Sequence, residues 1–184
     1  MRKFMHGTDY ESALDIVKNG FRSNKSTVWT CSNADMLYVR DADNEDTEYL
    51  TIEAGQIAAA YRGSNSTRIG VIAIEMSDEL ADEIVEDDNS CENTEGCYQI
   101  LIDDLMTYLK TGDIKVTIEV YDDAYVPYMR AFYLSNLNSE YLQIKDNLLL
   151  QAMRVLSNNS VYIEDIFMYG EVVETYAIVF GKAA

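Results

Sequence analysis

Residues 5–21 read MHGTDYESALDIVKNGF, and the change of period inside this stretch decides how the rest of the chain is read. Lys3–Met5 forms a short apolar strand that runs into His6-Gly7-Thr8. Ser12–Val17 then places Ala13, Leu14 and Val17 on one helical face, so Asp9 is expected to cap that helix by accepting an orphan backbone N–H. Gly20 follows the last helical residue, where glycine ends helices. A strand, a polar tripeptide and a capped helix therefore set an imidazole, a glycine and a hydroxyl at the end of one strand. Such a group suits a planar, hydrogen-bonding ligand, the glycine letting it approach the backbone.

Working outward, Thr27–Cys31 reads as a strand carrying Trp29, and Ser32 or Asn33 as the cap of a helix through Tyr38. The acidic stretch after Arg40 reads as a loop. A helix fits Thr51 to Tyr61, with Ile52, Ile57, Ala60 and Tyr61 as its buried face. Ile69–Glu75 is apolar on both faces, as an interior strand requires. Ser77 with Asp78 caps a short helix, Asp87–Gly96 is a loop, and Tyr98–Leu109 has helical spacing. Strand signals return at Ile114–Tyr121, and a mixed segment around Pro127 follows. The end reads Leu148–Leu156, Val161–Tyr169, a turn at Gly170-Glu171 and a strand at Val172–Phe180. Helices interleaved with strands, without regular βαβ alternation, give the class α+β. With no internal repeat and no Pro/Gly-rich linker, residues 1–184 are expected to form a single domain.

Composition narrows the function. The chain is 48% hydrophobic and 25% charged over 184 residues, which is the balance of a globular protein. No apolar run approaches the roughly 20 residues that span a bilayer. Arg2 and Lys3 could open a signal peptide, but His6, Asp9, Glu11 and Asp15 interrupt the apolar region it needs, so a cytoplasmic location is expected. The net charge is −18, which repels a phosphate backbone and disfavours non-specific nucleic-acid binding. Twelve of the acids lie between Ile69 and Leu109, a span without Lys or Arg. That span reads as a solvated acidic face, or else as a docking surface or nucleic-acid mimic. His6 is the single histidine, which excludes a multi-histidine metal centre. Cys91 and Cys97 alone make a weak zinc site, so no metal is expected and the three cysteines are read as reduced thiols. There is no glycine-rich phosphate loop and no G-x-G-x-x-G, so a Rossmann or P-loop site is not indicated.

The opening resembles that of the ADP-ribosyltransferase-like superfamily, in the branch with a His-Gly-Thr turn. That branch holds poly-ADP-ribose polymerases, DNA ADP-ribosyltransferase toxins and tRNA 2′-phosphotransferases. Residues 28–39, VWTCSNADMLYV, look like the family's second strand followed by an aromatic-bearing helix. Residues 58–76, AAAYRGSNSTRIGVIAIEM, look like its helix followed by a central strand. Residues 151–166, QAMRVLSNNSVYIEDI, look like the stretch that carries the catalytic glutamate. Residues 79–140 have no counterpart and form a divergent acidic region.

The resemblance implies a split sheet with peripheral helices and NAD as a substrate. It implies that His6 bonds the adenosine ribose, that Gly7 presents backbone groups to the nicotinamide amide with Thr8 beside it, and that Trp29 matches the aromatic of the second motif. Ser32 would bond the nicotinamide ribose and Tyr38 would stack on nicotinamide. At the expected glutamate the chain offers Met153 or Arg154, and an arginine repels the positive charge that develops on the ribose. Glu164 is the candidate replacement, with Glu171 and Glu174 behind it. The function expected is NAD binding, with ADP-ribose transfer to a macromolecular acceptor if a carboxylate is supplied. An RNA 2′-phosphotransferase-like enzyme and a non-catalytic acidic interaction protein are the alternatives. No membrane partner is expected.

Overall fold

The computed structural model describes residues 1–22, 35–62, 66–87, 96–122 and 171–178. The opening is strand β1 (Arg2–Asp9) followed directly by helix α1 (Tyr10–Asn19), so His6-Gly7-Thr8 lies inside the strand and not in a turn beyond it. Asp9 is the N-cap, its carboxylate accepting from the Ser12 N–H at 3.0 Å. Gly20 ends the helix with φ 73°, donating its N–H to the Ile16 carbonyl.

Then come β2 (Met36–Asp41), α2 (Thr47–Arg62), β3 (Arg68–Met76), α3 (Asp78–Ile84), β4 (Val85–Asp87) and β5 (Cys97–Leu101). They are followed by α4 (Ile102–Thr111), β6 (Lys115–Asp122) and β7 (Glu171–Ile178). The strands form one antiparallel sheet in the order β4-β5-β2-β1-β3-β6-β7. The class α+β holds. β3, apolar on both faces, lies between β1 and β6, as its composition requires. Ser77 caps α3 through the Leu80 N–H.

Two expected helices are corrected. Met36–Asp41 is strand β2, so Tyr38 sits on a strand: Leu37 and Val39 alternate into the core, and period 2 prevails over the capping signal of Ser32 or Asn33. Tyr98–Leu109 divides into β5 and α4, because Ile100 pairs with Leu37 on β2 while only Ile102, Leu105 and Leu109 bury at helical spacing. α2 begins at Thr47, earlier than the spacing predicts, and Asp87, expected to open a loop, instead closes strand β4. The acidic region read as divergent supplies β4, β5 and β6. Thr27–Cys31, Leu148–Leu156 and Val161–Tyr169 lie outside the described residues. No described helix is long and apolar enough to cross a membrane.

Strand alternation divides the core between two faces. Phe4, Ile72, Ile74, Leu37, Val39, Ile100, Val116 and Ile118 pack with Ala13 of α1, Leu80 and Ile84 of α3, and Leu105 and Leu109 of α4. Close approach of α1 to β3 rests on Gly70, where a Cβ would stand 2.4 Å from the Ala13 Cβ. α2 packs on the other face, with Gly55 against Ile69 and Thr51 against Gly7. Asp9 joins the layers: its carboxylate is fully buried, caps α1 and pairs with Arg62 at the end of α2 at 3.0 Å.

Candidate functional site

The joint between β1 and β2 is short. β1 pairs with β3 along its whole length, from Arg2 opposite Met76 to Asp9 opposite Ile69. With β2 it pairs only Phe4 to Asp41 and Met5 to Arg40. The Lys3 carbonyl accepts from the Ala42 N–H at 2.9 Å, so Lys3, Met5 and, by alternation, Gly7 aim their peptide groups at β2. A continued ladder would join Gly7 to Tyr38. Instead His6 Nδ1 lies 2.7 Å from the Tyr38 carbonyl oxygen, and a side chain occupies the acceptor that the Gly7 N–H would have used. Among the described residues the sheet therefore has a seam, with β4-β5-β2 on one side and β1-β3-β6-β7 on the other.

A carbonyl only accepts, so Nδ1 carries the proton in this contact and donates it. In the neutral ring Nε2 then keeps its lone pair. Burial pushes the His6 pKa below its ordinary value, and the bond to Tyr38 offsets part of that effect. Near neutral pH the ring is an uncharged acceptor at Nε2.

Gly7 has a reason to be glycine that the sequence did not disclose. A Cβ there would fall 1.9 Å from the Thr51 carbonyl oxygen and 2.7 Å from the Gly55 nitrogen. The space is filled by the backbone of α2, so the absent side chain makes room for that helix and leaves no opening on the Cβ side of Gly7. Thr8 is buried beneath α1, close to Gly70. Tyr38 alternates with the core residues Leu37 and Val39, which puts its ring on the face opposite to that of His6, beside Gln99 of β5. The contact between the His6 and Tyr38 residues is thus ring to backbone. Trp29, Ser32, Met153, Arg154 and Glu164 lie outside the described residues.

The two reserve carboxylates differ. Glu171 opens β7 and is exposed. Glu174 is already engaged: Arg68 Nη1 donates to it at 2.6 Å, and the Tyr176 hydroxyl bonds its other oxygen. Arg68 also lies 3.8 Å from Asp122 and over the Tyr10 ring. This half-buried group ties β3, β6, β7 and α1 together, and it holds Glu174 as an ion-pair partner. Spacing along the sequence gave no sign of it, since Arg68 and Glu174 are 106 residues apart.

Comparison of the chain with models of protein families, with curated proteins and with solved structures finds no match.

Proposed function

We propose that the chain is an NAD-binding protein of the ADP-ribosyltransferase-like kind, with the nicotinamide end of NAD held in the seam between β1 and β2. The observation that carries this reading is the interrupted ladder. His6 takes the Tyr38 carbonyl, and the Gly7 peptide edge is left facing the seam. An N–H and a C=O on one edge match the oxygen and one N–H of a primary amide. His6 Nε2 accepts from a ribose hydroxyl, and Tyr38, on the opposite face, offers a ring for stacking. The split-sheet fold implied by the motif has the same support, since the strands divide into two groups joined by the short β1–β2 ladder.

Transfer of ADP-ribose needs a carboxylate against the charge developing on the ribose, and loss of such a group costs a few kcal/mol, about a hundredfold or more in rate. Met153 and Arg154 do not supply it and Glu174 is committed to Arg68. Glu164 remains the candidate. Binding with little release of nicotinamide is therefore the expected behaviour, and Glu164→Gln removes whatever release remains.

Calorimetric titration with NAD tests the reading. The wild-type chain should bind, and His6→Ala should weaken binding by about 1–3 kcal/mol, the cost of losing a buried hydrogen bond. No binding by the wild type, or equal binding by the variant, removes the assignment.

A further inference from the structure

The two parts of the sheet are pinned together unevenly. β2 pairs with β5 from Met36 opposite Leu101 to Arg40 opposite Cys97, and β1 pairs with β3 along its whole length, so each part is continuous within itself. Between them, the Asp41 end of β2 is held several times over. The rungs Phe4–Asp41 and Met5–Arg40 lie there, Ala42 donates its N–H to the Lys3 carbonyl at 2.9 Å, Arg2 pairs with the Asp41 carboxylate at 3.1 Å, and Thr47 of α2 donates to the Asp41 carbonyl at 2.5 Å. At the Tyr38 end the join is the bond from His6 Nδ1 to the Tyr38 carbonyl at 2.7 Å. Leu37 and Val39, next to Tyr38 in β2, are buried in the core shared by both parts, and their packing keeps the seam shut. The arrangement is a hinge at Asp41 with a latch at Tyr38.

We propose that the His6–Tyr38 bond is an acid-sensitive latch: when the ring takes a second proton, the Tyr38 end of β2 swings off β1 about Asp41 and carries β5 with it. The setting of the ring supplies the reason. By alternation and register, His6 shares its face of the sheet with Phe4 and Thr8 of β1, Ile72 of β3, and Leu37 and Val39 of β2, under Ala13 and Ile16 of α1. None of these carries a charge. The charged residues of α1, Glu11, Asp15 and Lys18, are exposed. Arg2 and Asp9, toward the two ends of β1, are held by Asp41 and Arg62. Lys3, Arg40 and, on α2, Glu48 and Glu53 belong to the opposite face. A neutral ring suits such a place, with Nδ1 donating and Nε2 bare. A second proton sets a full charge and another N–H among uncharged, mostly apolar groups, with no partner for Nε2 among the described residues. Opening the seam returns both to water. The latch follows from the ladder and holds whatever the seam binds.

The test is NMR on the full chain without ligand. His6 is the only histidine, so its ring titration is read without overlap. The Gly7 and Tyr38 peptide groups face the seam, and exchange of their N–H with water reports its opening. That exchange, corrected for the pH dependence of a free amide, should rise about tenfold for each pH unit from about 6.5 down to the pH at which the ring titrates in place. The open ring takes its proton at the ordinary value and the closed ring below it. The Ile72 amide, in a strand paired on both sides, should not follow, which separates an opened seam from an unfolded chain. His6→Gln, whose side chain can still donate but does not titrate, should show one corrected rate across the range. His6→Ala, with no latch, should exchange faster than the wild type already at pH 7.5. Seam exchange that stays constant while the ring titrates, an equal acid response in His6→Gln, Ile72 exchanging in step with Gly7 and Tyr38, or a His6→Ala rate equal to that of the wild type each overturns the latch.

Discussion

Replacing Gly7 by alanine adds one methyl group to the most tightly occupied spot at the seam. That methyl would stand 1.9 Å from the Thr51 carbonyl oxygen and 2.7 Å from the Gly55 nitrogen. Both obstacles are helix backbone, so no side-chain rotation makes room, and α2 must move off β1 by more than an ångström. Overpacking of a well-filled site costs about 1–3 kcal/mol and occasionally more. A displaced α2 also strains the Arg62–Asp9 pair at its far end. The entropy removed from the unfolded chain by Gly→Ala returns only about 0.4–1 kcal/mol. With both obstacles fixed backbone the overpacking stands at the top of its range, about 3 kcal/mol, so the net expectation is a loss of about 2–2.6 kcal/mol, a large share of the roughly 5–15 kcal/mol that holds a typical domain folded. Urea denaturation followed by circular dichroism reads it as a lower midpoint with an unchanged slope. Gly112→Ala is the useful comparison: Gly112 has φ 88° and nothing within 4 Å of its would-be Cβ, so it should lose only about 1–2 kcal/mol through left-handed backbone strain. A Gly7→Ala loss no greater than that of Gly112→Ala would refute the seating of α2 on Gly7.

Gly70→Ala should cost about 1–3 kcal/mol by collision with the Ala13 Cβ. Adding Ala13→Gly should recover most of it despite the roughly 1 kcal/mol penalty of a helical glycine, and purely additive losses in urea would count against the contact. His6 gives a pH dependence whose sign follows from its lowered pKa. The unfolded chain binds the proton more readily than the folded one, so the contribution of His6 is fully present above about pH 6.5 and is lost as pH falls toward the folded value. Between pH 7.5 and 5.5 the wild type should lose more stability than His6→Gln, and parallel losses in the two proteins would contradict the half-buried neutral ring.

Local chemistry was legible in the sequence. Asp9 ahead of an apolar helical stripe, Gly20 behind it and Ser77 ahead of α3 each act within four residues, so a reading of neighbours finds them. β3 was legible because an apolar run on both faces has only the inside of a sheet to occupy. The strand state of Met36–Asp41 is not legible locally, because it depends on Cys97–Leu101, far along the chain, and a capping signal nearby competes with it. Of the candidate site, the sequence supplied His6, Gly7 and Tyr38 as residue types. It did not contain the reason Gly7 must lack a side chain, which is the α2 backbone above it, nor the end of the β1–β2 ladder that opens the seam. The same holds for Asp9, whose cap is local but whose partner Arg62 arrives from another helix. A hydrogen bond between near neighbours costs the chain little order to form and leaves its mark in residue spacing. Contacts across long loops form only once the whole sheet has brought their partners together, so the tertiary structure alone decided that the Tyr38 carbonyl meets an imidazole in place of the next rung of the ladder.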